Sequence, residues 1–177
     1  MRMYKHKIFQ FSSRENSCWE KPPLGYVRVD VDGSKDIQAQ GACGGTVRDS
    51  SGKWILGFQQ HIGHCLFSTM AEIYAIKAGL QICRTRGFTK VKLYSDSLEA
   101  IHLLLQDHGP FHPLSDVITD VRQLIYSHWE VEINHAYRES IMEADYLART
   151  AYGPNKELFV LQNPPAFCSS QKLAGIG

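Results

Sequence analysis

The chain has 177 residues, 44% hydrophobic and 21% charged, which is the range of one globular domain and excludes a disordered or fibrous class. A formal net charge of +1 gives no global attraction for polyanions, so any contact with nucleic acid must come from local patches. Five scattered cysteines without a CxxC pair, no apolar run near the roughly 20 residues of a membrane span, and a first decade lacking a secretory stretch predict an intracellular protein in a reducing compartment.

Residues 1–25 carry Arg2, Lys5, Lys7, Arg14 and Pro22-Pro23 without a sustained period, and read as a leader or linker. The folded domain is expected over 26–153, with 154–177 as a loose C-terminal tail rich in Pro, Ser and Gly. Val27, Val29 and Val31 alternate with Arg28, Asp30 and Asp32, which predicts a strand ending at Asp32-Gly33. A second strand is expected from about Gly41 to Arg48, a turn at Asp49–Gly52, and a third strand from Lys53 to about Ile62.

Ile73, Ile76, Leu80 and Cys83 share one helix face, so Thr69–Arg84 is expected to be helical, with Ser68 or Thr69 as N-cap. Val91–Asp96 reads as a strand and Leu98–Leu105 as a helix, an order that implies a parallel crossover. A further helix is expected over Leu114–Tyr126, a last strand over Trp129–Tyr137 and a last helix over Ile141–Tyr152. The order is βββαβααβα, a three-stranded meander followed by a parallel crossover, which is an α/β pattern.

Four acids stand at special places in this map: Asp32 ends the first strand, Asp96 ends the fourth, Glu72 opens the long helix and Asp145 lies in the last helix. If strands one and four are parallel neighbours, Asp32 and Asp96 lie side by side at the carboxyl edge, where open α/β sheets place their sites. Glu72 and Asp145 border buried helix faces and can be aimed at the same edge. Four converging carboxylates repel one another unless cations fill the space, and hard oxygen donors suit Mg²⁺ or Mn²⁺. Two such ions about 4 Å apart can activate a water and stabilise the leaving oxygen of a phosphodiester.

Each acid taken alone has a simpler account. Thr69-Met70-Ala71-Glu72 fits a capping box, Asp32-Gly33 is a common turn pair, Ser95-Asp96-Ser97 can be an N-cap for the next helix, and Asp145 can be a solvated charge. Their joint order is what argues for a site. His61, His64 and Cys65 lack a second ligand pair at zinc spacing, and Arg84, Arg86, Lys90 and Lys92 read as a solvated basic surface.

Trp19 with Pro22-Pro23 and Gly25, Val31-Asp32-Gly33-Ser34, Gly44-Gly45 with Val47-Arg48-Asp49 and Gly52, Ala71-Glu72, Ser95-Asp96-Ser97, and Arg138-Glu139 leading to Ala144–Ala148 follow in order. With that set the chain resembles the type 1 ribonuclease H family, in particular the retroelement-derived group common in plant genomes, from about Trp19 to the end. The resemblance implies a ribonuclease H-like mixed five-stranded sheet, three antiparallel strands followed by two parallel ones, flanked by helices, and hydrolysis of the RNA strand of RNA/DNA hybrids to a 3′ hydroxyl and a 5′ phosphate, with Mg²⁺ as cofactor, two ions, and Mn²⁺ as a substitute. It implies Asp32, Glu72, Asp96 and Asp145 as metal ligands, His135 as an auxiliary proton carrier, and Gly33, Ser34, Ser68 and Thr69 as substrate contacts.

Ser68 and Thr69 stand where many relatives have paired asparagines, Leu98 where relatives often have a polar side chain, and Ile141 where many have asparagine. Altered contacts to the RNA 2′-OH are expected. One cation, Arg122, lies between Asp96 and the last strand, so weak substrate affinity is expected of the isolated domain. The partners implied are an RNA/DNA hybrid and, in a parent polyprotein, a reverse-transcriptase domain, with the chain itself a monomer and no membrane involved. Two alternatives are a domesticated module that binds nucleic acid or protein without cutting, and a DNA strand-transfer enzyme with a related sheet. The second of these has no counterpart of Glu72.

Overall fold

Residues 10–11, 18–106 and 109–168 are described by the computed structural model. Most of the leader and the end of the tail therefore lie outside the described residues.

The strands are β1 (Gln10–Phe11), β2 (Val27–Lys35), β3 (Gln40–Arg48), β4 (Trp54–His64), β5 (Lys90–Ser95), β6 (Glu130–His135) and β7 (Phe159–Leu161). The helices are α1 (Ser68–Thr85), α2 (Leu98–Leu105), α3 (Ser115–Ile125) and α4 (Met142–Arg149), with a 3₁₀ turn at Arg138–Ser140 before α4. One sheet runs in the order β1-β6-β5-β2-β3-β4-β7. β2, β3 and β4 are antiparallel, while β5 runs parallel to β2 and β6 parallel to β5.

The α/β class and the five central strands are those expected, but the sheet has seven strands rather than five. β1 adds a parallel edge beside β6 through Gln10↔Asn134 and Phe11↔His135, and β7 adds an antiparallel edge beside β4. Both are two or three residues long, too short for alternation to be read in the sequence.

Val29, Val31 and Gly33 face α1. A Cβ built on Gly79 of α1 would stand 2.9 Å from the Val31 side chain, which shows how closely helix and sheet approach. This face holds the main core, with Leu56, Phe58, Ile73, Ile76, Leu80, Leu93, Ile101, Leu104, Ile118 and Ile125 fully buried. α4 lies on the opposite face against β2 and β3.

That second face carries a polar layer instead of a purely apolar one. Arg28 Nε donates to Asp30 Oδ1 at 2.7 Å, Trp19 Nε1 donates to Asp30 Oδ2 at 2.9 Å, and the Arg28 guanidinium stacks 3.9 Å from the Tyr94 ring centre. Arg48 closes the layer with a bidentate bond to Glu143 of α4, 2.9 Å to each oxygen. Tryptophan in the segment before β2 thus supplies a donor to a buried carboxylate.

Ile141, which stands where many relatives of the resembled family have asparagine, is buried with Ala136 and Ala144, and the partly buried Tyr94 packs against them. Among the described residues no helix is long and apolar enough to cross a membrane. All five cysteines are unpaired.

Candidate active site

β2 and β5 pair in parallel up to Asp30↔Tyr94. Asp32 stands two residues further along β2 and Asp96 one residue past the end of β5, close together at the carboxyl edge as the strand order predicts. β2 does not end at Asp32: it continues through Gly33, Ser34 and Lys35, paired with Cys43, Ala42 and Gly41 of β3. The Asp-Gly pair resembles a turn in sequence, yet Gly33 serves another purpose. A Cβ there would lie 2.4 Å from the Glu72 backbone nitrogen, so only glycine lets the start of α1 come this close. The Gly33 amide in turn donates to the Glu72 carboxylate.

Gly44 does the same on the other face. It pairs with Asp32 across the ladder, and a Cβ on it would meet the Ala148 nitrogen at 2.4 Å. Two glycines therefore let α1 and α4 approach the sheet edge from opposite faces, one beside Asp32 in sequence and one beside it in register. That is the local reason Glu72 and Asp145 reach the same edge.

Asp32, Glu72 and Asp96 offer carboxylate oxygens within 4.8 Å of one another, a spacing at which one cation can touch all three. Glu72 Oε2 is buried without a hydrogen-bond partner among the described residues, which leaves it open to a proton, a water or a cation. Hard oxygen donors of this sort fit Mg²⁺ or Mn²⁺.

Burial and then the neighbouring carboxylates Asp96 and Asp145 push Asp32 up to about 7. Burial, followed by Asp32 and Asp96, raises Glu72 well above the usual carboxylate range. Asp96 is raised by burial, with Arg138 and His135 pulling the other way. Without a cation, the cluster is relieved by protons.

Asp145 is in the ring but differently engaged. It lies within hydrogen-bonding reach of Asp32, while Arg138 Nη2 donates to its Oδ1 at 2.9 Å and Arg149 Nη2 reaches its Oδ2 at 2.7 Å. Arg149 follows at the helical i,i+4 interval, a signal legible in sequence. Arg138 comes from the 3₁₀ turn seven residues earlier, and no periodicity marks it.

His135 ends β6 opposite Ser95, with its ring edge-to-face on Tyr137 at 5.3 Å, and its field bears on Asp96. Ser34 Oγ and Tyr152 Oη are 3.0 Å apart. Ser68 is exposed at the first position of α1. The N-cap expected at Ser68 or Thr69 is Phe67 instead, without a side-chain cap bond, and the Thr69 hydroxyl, one residue inside the helix, donates to Glu99 of α2 at 2.5 Å. No acid lies in the first turn of α1, so the capping-box account of Glu72 does not hold. Ser97 caps α2 through Ala100 N at 3.2 Å.

Arg122, the one Arg or Lys between Asp96 and the last strand, is tied to α2. Its Nε donates to Leu104 O at 2.9 Å and its Nη2 to the carbonyls of Leu103 and Gln106. Lys92 pairs with Glu132 at 2.9 Å, and Arg84 lies over Trp129.

A family model described as reverse transcriptase-like matches residues 30–151. An Arabidopsis thaliana protein named for ribonuclease H is 33% identical over 135 residues, 76% of this chain. The chain spans only 22% of that relative's length. Among solved structures, ribonuclease H1 of the halophilic archaeon Halobacterium salinarum superposes with a TM-score of 0.66 at 24% identity, covering 71% of this chain and 96% of that one. A compost-derived ribonuclease H1 in complex with an RNA/DNA hybrid gives a TM-score of 0.62 at 16% identity, covering 71% and 95%. The protease-reverse transcriptase of prototype foamy virus gives 0.55 at 16% identity, covering 73% of this chain and 21% of that one. At these identities the likeness is one of fold.

Proposed function

This chain belongs to the reverse transcriptase-like family of ribonuclease H folds, and from that premise we propose that it is an endonuclease that hydrolyses the RNA strand of RNA/DNA hybrids. Asp32, Glu72, Asp96 and Asp145 would hold two Mg²⁺ ions, with Mn²⁺ as a substitute. The observation that carries this reading is the convergence of Asp32, Glu72 and Asp96 within 4.8 Å around a buried, unpartnered Glu72 oxygen.

When bound, the ions would supply an activated water and a counter-charge for the phosphodiester. The protein's own part is placement. Asp32 on β2 and Asp96 just past the end of its parallel neighbour β5 form a floor, and Gly33 and Gly44 set the helix distances that bring Glu72 and Asp145 to it. His135, beside Asp96, is positioned to carry a proton at the rim. Exposed Ser68 and the edge residues Gly33 and Ser34 are the proposed substrate contacts. Thr69 belongs with them but has its hydroxyl directed at Glu99. An RNA/DNA hybrid is the proposed partner, and a reverse-transcriptase domain in a longer parent chain is a further one.

A second reading, a module that binds without cutting, draws on one observation: both oxygens of Asp145 are held by arginines. The deciding experiment is cleavage of an end-labelled RNA strand paired with DNA at low salt with Mg²⁺, native protein against Asp96→Asn. Metal-dependent cutting lost in the variant supports the nuclease. A folded native protein that cuts with neither Mg²⁺ nor Mn²⁺ supports the binding module.

A further inference from the structure

Three of the four clustered acids face one another, and the fourth faces two arginines. Asp145 is nearly buried, with its side chain 10% exposed, yet Arg138 and Arg149 reach it from solvent with side chains 67% and 59% exposed. Each guanidinium takes a different oxygen, so both Asp145 oxygens already have a cationic neighbour. The group of oxygens that lies within 4.8 Å contains Asp32, Glu72 and Asp96, and Asp145 stands outside it.

A contrast within the same molecule shows what kind of bond this is. The Arg28–Asp30 pair is enclosed on both sides, with side chains 3% and 5% exposed, and is further held by Trp19 and Tyr94. Removing one partner there leaves a charge stranded without water. Arg138 and Arg149 have bulk solvent to return to, and exposed ion pairs of this sort are weak. The bond to Asp145 is built to be exchanged.

We propose that Arg138 and Arg149 act as resident cations that hold Asp145 until a divalent ion displaces them, so that Arg138 is a positioning residue that sets the metal affinity of the site. This rests on the reading of Asp145 as a metal ligand given above. Arg138 touches neither substrate nor reacting atoms in this account; it acts through Asp145. The two arginines also place positive charge beside the fourth carboxylate in the metal-free protein, offsetting part of the repulsion it exerts on Asp32 and Asp96.

The test is a calorimetric titration of Mg²⁺ into the full chain as a double-mutant cycle: native, Arg138→Ala, Asp145→Asn and the double variant. With the competitor removed, Arg138→Ala binds Mg²⁺ more tightly than native, by up to about fivefold. In the Asp145→Asn background the same substitution changes nothing, because the exchange runs through that carboxylate. Equal tightening in both backgrounds would mean simple long-range repulsion of the ion by Arg138 and would overturn the proposal, as would unchanged or weaker binding by Arg138→Ala. Circular dichroism confirms folding, and Arg138→Gln replaces the alanine variant if that one unfolds. If the folded native chain binds no divalent ion at all, the metal reading of the proposed function falls, and this inference falls with it. That result is distinct from metal binding that is indifferent to Arg138.

Discussion

Gly44 lies directly across the ladder from Asp32, and a Cβ on it would sit 2.4 Å from the backbone nitrogen of Ala148. The carboxylate at the sheet edge and the helix that brings Asp145 to it are thus linked through one missing side chain. Gly44→Ala is expected to push α4 outward, costing about 1–3 kcal/mol in urea unfolding. It should weaken Mg²⁺ binding by more than any change in α1 packing could explain. Unchanged stability and unchanged metal affinity in that variant would show that α4 can shift without consequence.

Glu72 keeps a buried oxygen without a partner among mutually repelling carboxylates. Glu72→Gln removes one of the charges while its amide oxygen can still accept from Gly33. The metal-free protein should gain about 1 kcal/mol at pH 8, and the rise in melting temperature on adding Mg²⁺ should vanish. Scanning calorimetry with and without the ion reads both effects, and a destabilised variant would contradict the account of strain at this position.

Asp32 stands at about 7 and Glu72 above the usual range, mainly because both are buried beside other carboxylates. A carboxyl raised in the folded state binds more protons there than in the unfolded chain. The stability it gives is present below the ordinary carboxyl range and is lost as pH climbs through about 7. In EDTA, the melting temperature should therefore fall by about 5 °C between pH 5 and pH 8. With Mg²⁺ at saturation the slope should flatten, since the ion replaces the protons. A metal-free profile that rises over this interval would run against the geometry.

Thr69 gives its hydroxyl to Glu99, which also places an exposed acid beside the first turn of α1. Glu99→Ala frees the hydroxyl and removes a charge that repels a phosphate backbone. The KM for an RNA/DNA hybrid should drop about threefold at low salt with little change in kcat, and the gain should shrink as salt is added. A change confined to kcat would place Glu99 in the chemistry instead.

Asp30 sits two residues before Asp32 and shares its face, yet it is committed to structure. Its carboxylate receives Arg28 and Trp19 in a region with almost no solvent. Asp30→Ala leaves Arg28 buried and unpaired, at a cost of about 3–5 kcal/mol by urea unfolding. Arg28→Met with Asp30→Leu should recover most of that loss.

The sequence by itself determined the elements and the order of the acids. Alternation at Val27–Val31, the helical face of Ile73, Ile76 and Leu80, and the turn at Asp49–Gly52 are short-range properties of neighbouring residues, and the structure shows them where the periods place them. The set of motifs pointed to Asp32, Glu72, Asp96 and Asp145, and three of those four do stand within reach of one cation. The tertiary structure decided what depends on residues far apart in the chain. β1 and β7 are too short to carry a period and exist because β6 and β4 offer unpaired edges. Gly33 reads as a turn residue until α1 is seen against it, Thr69 as a cap until the helix is seen to begin at Ser68, and only the fold brings Arg122 onto the carbonyls of α2. The arginines on Asp145 belong to the same class: a charge pattern shows which residues could pair, but only the folded chain decides which of them come within 3 Å of one another.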